Sequence, residues 1–287
     1  MKNILVTGSN GQLGSEIRER SKELSQFNFI FVDVEDMDIA NNKEVEAFFS
    51  KTNIDGIINT AAYTAVDKAE NEEKLAFAIN ETGVKYLCQI SEKYNIFLIH
   101  ISTDYVFDGE KDIAYTPNDE VNPNSVYGKS KLAGEMQIVN SNINYAIVRT
   151  SWLYSSKGNN FVKTILKHAK VKSSLNVVDD QFGSPTYAGD LADATLKILK
   201  IISNKIIRKT YHYSNEGKTS WFDFAREIVN IANIKCNINP IKTEEYPTLA
   251  KRPKYSVMDK SAIKNDFQIK IPHWKESLKK CYNLIMR

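Results

Sequence analysis

The amino-terminal β-α-β pattern restricts the fold more than any other feature of the sequence. An apolar run at residues 4–6 leads directly into the turn Thr7–Gly14, where glycine recurs at every third position. A helical segment with apolar residues on one face follows, and a second apolar run at residues 29–32 closes a unit of roughly 30 residues. Such glycines let a pyrophosphate approach the backbone, while the helix start offers free N–H groups to phosphates. A purely structural turn is the alternative interpretation.

The same alternation of strand and helix continues through the first half of the chain. Apolar runs end at Asn59, Ile101 and Val148, and a long helix is predicted over 72–92. This order predicts an α/β fold of Rossmann type, in which a doubly wound parallel sheet carries helices on both faces.

The pattern becomes less regular beyond Ser155, which predicts a smaller, interleaved carboxyl-terminal α/β substrate domain. We therefore expect a dinucleotide-binding domain over 1–150, to which the helix 187–202 returns, and a mainly substrate-binding domain over 151–287.

Charge and cysteine content exclude several classes of function. The 38 basic and 35 acidic residues among 287 leave a net charge of +3, which favours neither nucleic acid nor an anionic membrane as a partner. Three scattered cysteines suggest neither a disulfide framework nor a zinc site. The first apolar run is too short for a signal peptide or a spanning helix. We expect a reduced, cytoplasmic protein.

Residues 97–131 contain the strongest candidate for chemistry. The apolar strand at 97–101 runs into Ser102-Thr103-Asp104, at the sheet edge where ligands bind in open α/β folds. Tyr127 and Lys131 follow four residues apart, so they share one face of a helix. A nearby ammonium would lower the phenol's pKa of about 10. Thr103 could then hold a carbonyl oxygen that Tyr127 protonates as hydride reaches the carbon. A surface tyrosine and lysine are the alternative.

Two further residues bear on ligand binding. Asp33 ends the second strand, about 20 residues beyond the glycines, where an acid accepts hydrogen bonds from a ribose and repels a 2′-phosphate. This favours NAD(H) over NADP(H). Trp152 follows another strand end and could stack on a sugar or a base, although a core tryptophan is an equal alternative.

Several segments together resemble the extended short-chain dehydrogenase/reductase family and, within it, the dTDP-4-dehydrorhamnose reductases. They span nearly the whole chain: Thr7–Gly14, Asn59–Glu70, Ser102–Gly109, Tyr127–Lys131, Arg149–Trp152, Asp180–Thr186 and Arg252–Pro253. The second, third and sixth segments are far more specific than the glycines.

The resemblance implies reduction of the 4-keto group of dTDP-4-dehydro-L-rhamnose by NADH or NADPH. The implied catalytic residues are Thr103, Tyr127 as proton donor, and Lys131, which would also hold the nicotinamide ribose. The cofactor-binding set is Gly8, Gly11, Gln12, Leu13, Asp33, Asp38, Ile39, Ala61, Ala62, Tyr63, Tyr127 and Lys131. The substrate-binding set for the dTDP-linked keto sugar is Thr103, Asp104, Tyr105, Tyr127 and Trp152.

The resemblance also bears on metal and assembly. Some family members form dimers around a magnesium ion held by glutamates, and Glu16 is suitably placed on the first helix. Gly189 stands where those members carry a second glutamate, so we expect no metal site, while a homodimer stays possible. Alternatives to the reductase are a reductase of another nucleotide-linked 4-keto sugar, and a non-catalytic regulatory subunit that keeps the dinucleotide site. An epimerase or dehydratase fits the specific segments less well.

Overall fold

The computed structural model describes residues 1–287 and is organised around one six-stranded parallel sheet. The strands of the whole chain, of which six form this sheet, are β1 (Lys2–Thr7), β2 (Phe27–Phe31), β3 (Gly56–Asn59), β4 (Phe97–Thr103), β5 (Tyr145–Thr150), β6 (Leu153–Tyr154), β7 (Ser174–Val178), β8 (Phe182–Gly183), β9 (Thr186–Tyr187), β10 (Arg208–His212), β11 (Thr219–Ser220) and β12 (Asn237–Ile241). The helices are α1 (Gln12–Ser21), α2 (Asn42–Lys51), α3 (Val66–Ala69), α4 (Glu73–Phe77), α5 (Val84–Tyr94), α6 (Val126–Val139), α7 (Phe161–Ala169), α8 (Ala188–Ile202), α9 (Trp221–Ile231), α10 (Ser261–Phe267) and α11 (Trp274–Ile285).

The strand order of the large sheet is β2-β1-β3-β4-β5-β10, and all five pairings are parallel. The chain proceeds outward in opposite directions from β1 and β3, so a crevice opens between their carboxyl ends. This is the doubly wound sheet that the sequence predicts, and it fixes the edge at which a ligand can bind.

Successive residues of the central strands enter two different cores. In β1, Ile4 and Val6 pack with Ile17 and Leu191 on one face, while Leu5 packs with α2 and α5 on the other. Because both faces are covered by helices, the strands read as continuous apolar runs rather than as alternating ones.

The second half of the chain forms a separate core but also completes the sheet. Phe224 and Trp274 belong to an aromatic-rich cluster between α7, α9 and α11, beside the parallel pair β7–β12. However, β10 pairs with β5 at the edge of the large sheet, and α10 contributes Ile263 and Phe267 to the core beneath it. The two halves are therefore interleaved.

The single helix predicted over 72–92 is wrong in detail, because a π-helical turn at Ala78–Gly83 separates α4 from α5. Within this turn the buried Asn80 amide donates to the Tyr63 carbonyl and to Ser130 Oγ, and its oxygen accepts from the Tyr63 N–H. Such bulges are frequent near functional sites. This one fastens the loop after β3 to α6.

Within the less regular second half of the sequence, residues 182–187 contain two short strands. Here β8 pairs with β11, and β9 pairs with β6. None of the helices combines the length and the apolar character needed to cross a bilayer.

Helix α6 lies unusually close to its neighbours. Its amino terminus is capped by Ser125, whose side chain accepts from the Gly128 N–H at 3.1 Å. Further along, a β-carbon at Gly134 would lie 2.1 Å from the Asn80 carbonyl oxygen. Only glycine permits this contact, and the contact sets the position of the Tyr127–Lys131 turn.

We predict that Gly134→Ala lowers the free energy of unfolding by about 2 kcal/mol, because the added methyl must displace backbone. In an unhindered helix the same change would stabilise. Urea denaturation measures the difference, and Met136→Ala on the exposed side of α6 is the control, expected to change it by less than about 0.5 kcal/mol. An alanine variant as stable as the parent would contradict the close packing.

Candidate active site

A cleft of about 820 Å³ follows the carboxyl edge of the sheet, from the glycine turn to β6. The cleft brings together fifteen residues singled out from the sequence: Gly8, Gly11, Gln12, Leu13, Asp33, Asp38, Ile39, Ala61, Ala62, Thr103, Asp104, Tyr105, Tyr127, Lys131 and Trp152. Residues as far apart in the chain as Gly8 and Trp152 thus share one cavity, because parallel strands end at the same edge of the sheet.

The glycine turn is shaped for an anion. Gly8 has a φ of +64°, and a β-carbon there would lie 2.6 Å from the Ala61 nitrogen. Helix α1 begins after Gly11, which has no side chain to cap it, and the first turn contains no acidic residue. The amide groups at the start of α1 therefore have neither a capping side chain nor an acidic side chain as a partner, and they face the cleft with the positive end of the helix dipole. This arrangement fits a dinucleotide pyrophosphate.

Asp33 lies at the end of the cleft where a ribose is expected, but its carboxylate has structural partners. One oxygen accepts from the Asn10 N–H at 2.7 Å and the other from the Val34 N–H at 2.9 Å. Farther along, Asp38 accepts from the Ala40 N–H, and Ile39 is buried against Gly83. This wall can still receive hydroxyl groups, because a carboxylate accepts several hydrogen bonds.

Thr103, Tyr127 and Lys131 meet in the middle of the cleft. The Thr103 hydroxyl donates to Asp104 Oδ1 at 3.0 Å and accepts from the Tyr105 N–H at 3.2 Å. The Tyr127 ring meets the edge of Tyr105, with centroids 5.4 Å apart. Lys131 Nζ donates to the Ile101 carbonyl at 2.8 Å. The trio spans the end of β4 and the first turns of α6.

The pKa of Tyr127 differs from the sequence-based expectation that Lys131 lowers it. Burial raises the pKa of Tyr127 to about 12, the Thr103 hydroxyl opposes this, and the charge of Asp104 adds to it. Lys131 is not among the groups that shift this pKa, and its amine donates instead to the backbone of β4. Burial also lowers the pKa of Lys131 to about 8, against the attraction of Glu135.

Asp104 and Tyr105 line the cleft beside the trio. Asp104 is 3% exposed, and one of its oxygens has no hydrogen-bond partner. Burial raises the pKa of Asp104 to about 6, although the hydrogen bond from Thr103 opposes the shift. A carboxyl in this state can either donate to a hydroxyl or accept from one.

Trp152 lines the cleft and is also packed against other side chains of the protein. Its φ is +49°, a strained value for a bulky residue, and its ring stacks on Trp221 at a centroid separation of 3.5 Å. A β-carbon at Gly183 would lie 2.6 Å from the same indole. Trp221 and Gly183 together hold the ring at the cleft wall.

Tyr63 is the exception among the predicted cofactor contacts. Its ring turns away from the cleft and packs with Ala69 and Ala76, while its hydroxyl donates to Glu72 at 2.5 Å. The Asn80 amide holds its backbone, which fixes this direction. The neighbouring Ala61 and Ala62 form the wall instead.

The structure adds site residues that the sequence did not reveal. His100 is fully buried, and its Nε2 atom lies 3.2 Å from Lys131 Nζ. Asn80 and Trp221 support the trio and Trp152 respectively. A lone polar residue within an apolar strand, two positions before Ser102, was the available signal for His100.

Residues 1–286 match the model of the family described as the RmlD substrate binding domain. The chain belongs to this family.

Related sequences and solved structures match this chain over nearly its full length. A dTDP-4-dehydrorhamnose reductase of Aggregatibacter actinomycetemcomitans is 40% identical over 97% of this chain and 98% of the relative. The crystal structure of such a reductase from Clostridium acetobutylicum has a TM-score of 0.94 and 44% identity, covering 99% and 100% of the two chains. A Bacillus anthracis reductase in complex with NADP has a TM-score of 0.93 and 39% identity, covering 99% of each chain. The resemblance predicted from the sequence is confirmed.

We predict that Asp104→Asn stabilises the protein increasingly as the pH rises. The folded-state pKa of Asp104, about 6, lies above its ordinary value, so its favourable contribution is complete below about pH 4 and is lost as the pH passes 6. Between pH 4 and pH 8 the variant should gain about 2–3 kcal/mol relative to the parent.

Urea denaturation at several pH values measures this gain. Asp112→Asn, which removes an exposed carboxylate, controls for the change in net charge. A stability difference between Asp104→Asn and the parent that does not vary with pH would contradict the burial of an ionisable carboxyl.

Proposed function

We propose that this chain catalyses the NAD(P)H-dependent reduction of dTDP-4-dehydro-L-rhamnose to dTDP-L-rhamnose. Full-length relatedness to reductases of this name supports the substrate. The observation that carries the chemistry is the convergence of Thr103, Tyr127 and Lys131 beside a glycine turn fit for pyrophosphate.

The cofactor would lie along the turn Thr7–Gly14 and the wall at Ala61 and Ala62. When bound, it supplies the hydride. Lys131 would face its nicotinamide ribose, and Asp33 would face the adenosine ribose. The B. anthracis relative was solved with NADP, which supports use of the phosphorylated cofactor as well as NADH.

Side chains of this protein would position the keto oxygen and supply its proton. The Thr103 hydroxyl would donate to the keto oxygen and fix its position, and the Tyr127 phenol would protonate that oxygen. A raised pKa suits this direction, since Tyr127 stays protonated throughout the neutral range. The ammonium form of Lys131 would stabilise the phenolate left behind.

The sugar would be held by Asp104, Tyr105 and Trp152. Their arrangement supplies a carboxyl, a phenol and an aromatic face, which suits a deoxysugar with both hydroxyl groups and an apolar side. A cytoplasmic location and a homodimer stay predictions.

We predict that Tyr127→Phe lowers kcat at least a hundredfold, because it removes the proton donor without changing the ring. Loss of NADPH or NADH absorbance measures turnover, with the keto sugar generated in situ, and fluorescence titration measures cofactor binding, which should be retained. Tyr94→Phe, on the surface, is the control. Unaltered turnover in Tyr127→Phe would exclude the phenol as donor. No turnover by the parent would favour another keto sugar or a regulatory role.

We predict that Asp33→Asn lowers the KM for NADPH relative to that for NADH by about three- to tenfold, equivalent to roughly 1 kcal/mol. The change removes a negative charge that would face a 2′-phosphate but keeps an oxygen for the Asn10 N–H. Steady-state kinetics with both cofactors measures the ratio, and Glu35→Gln, exposed and outside the cleft, is the control. An unchanged ratio would place the adenosine ribose away from Asp33.

A further inference from the structure

A row of buried polar side chains connects the glycine turn to the catalytic helix. The Thr7 hydroxyl donates to Asn59 Oδ1 at 2.7 Å, Asn59 Nδ2 lies 3.0 Å from His100 Nδ1, and His100 Nε2 lies 3.2 Å from Lys131 Nζ. Asn59 and His100 are fully buried, and Lys131 is 1% exposed. Since bulk solvent hardly reaches these atoms, they depend on neighbouring protein groups for their hydrogen bonds.

The orientation of the Asn59 amide is set by a group that can only donate. The Ala61 N–H lies 3.2 Å from Asn59 Oδ1, so that atom must be the oxygen. The nitrogen Nδ2 therefore faces His100, and His100 Nδ1 must accept its hydrogen. A neutral imidazole that accepts at Nδ1 carries its proton on Nε2.

This tautomer constrains the charge of Lys131. The Nε2–H of His100 points at Lys131 Nζ, and an ammonium has three donors and no acceptor. A charged Lys131 would therefore oppose one N–H to another at a position closed to bulk solvent. An uncharged amine accepts from Nε2–H and still donates to the Ile101 carbonyl.

We propose that His100 is a positioning residue that docks Lys131 against β4 as an uncharged amine and thereby sets the alkaline limit of catalysis. The docked, uncharged amine cannot stabilise the phenolate that proton donation leaves on Tyr127, so turnover needs the ammonium form. Protonation from solvent breaks the contact with His100 and turns the ammonium toward the cleft. The kinetic part of this inference rests on the proposed reductase activity, whereas the tautomer does not.

The other charged groups around Lys131 do not reverse this preference. Glu135, one turn further along α6, favours the ammonium, but Arg149 pairs with it at 2.7 Å. Asp104 lies at the end of β4 beside Tyr127, and the charge of Asp104 acts on that phenol. Burial lowers the pKa of Lys131 to about 8 and that of His100 well below its ordinary value, in the same sense as the hydrogen-bond pattern.

Two substitutions at different positions should relieve the constraint in the same direction. In His100→Gln, the side-chain amide oxygen can face Lys131 and accept a hydrogen bond from its ammonium group. Asn59→Asp offers an oxygen to His100 Nδ1, so the ring proton moves to Nδ1 and Nε2 becomes an acceptor for the ammonium. In both variants the alkaline limb of kcat/KM should move upward from about pH 8 by about one pH unit.

His212→Gln is the matched control, because His212 is equally buried but bonds to the Tyr115 carbonyl and has no contact with Lys131. Profiles of kcat/KM between pH 6 and pH 10, with NADPH as reductant, should be unshifted in this variant. An alkaline limb that stays in place in both His100→Gln and Asn59→Asp would overturn the proposal.

A second readout needs neither a variant nor turnover. Long-range ¹H–¹⁵N spectra of protein labelled with ¹⁵N-histidine report the tautomer of each of the four rings. We expect His100 to be neutral with its proton on Nε2 between pH 6 and pH 9. A proton on Nδ1, or a cationic ring, would overturn the proposal. Because this measurement is independent of the sugar, it tests the tautomer of His100 even if the proposed function fails.

Discussion

The need to satisfy polar groups inside a dry core governs the arrangement of this site. Thr7, Asn59 and His100 stand on three adjacent strands, and each would cost several kcal/mol if buried without a partner. Their mutual hydrogen bonds align the carboxyl ends of those strands and extend to Lys131 on α6. The same contacts that make burial tolerable therefore fix the distance between the glycine turn and the proposed proton donor.

Helix α6 is held from the other side by close packing rather than by hydrogen bonds alone. Gly134 lies against the Asn80 carbonyl, and Asn80 in turn holds Ser130 and the loop after β3. Such proximity shields Tyr127 in part and Lys131 almost completely from solvent, and desolvation is the largest cause of both pKa shifts. Rigidity and protonation state thus have one origin, since the packing that positions the pair also favours its uncharged forms.

Much of the fold could be predicted because its signals are local. Apolar runs marked the central strands, and the glycine spacing marked the first crossover, since these patterns depend only on neighbouring residues. The π-helical turn could not be predicted, because it exists to bring Asn80 to Tyr63 and Ser130, far away in sequence. The direction of the Tyr63 ring, the stacking of Trp221 on Trp152 and the contact between His100 and Lys131 also depend on tertiary packing. Most of the residues that share the cleft were predictable from the sequence, whereas the direction of the pKa shift of Tyr127 was not, because burial decides it.

The return of β10 to the edge of the large sheet has a consequence for biosynthesis. The amino-terminal half cannot complete the large sheet until residue 212 has left the ribosome, and α10 covers the last strand only after residue 267. During translation, β5 is therefore an open edge with unpaired amide and carbonyl groups, which is the feature that promotes association between chains. Nascent chains that stall before β10 should be the ones that depend most on chaperones, although they already contain the glycine turn, Tyr127 and Lys131.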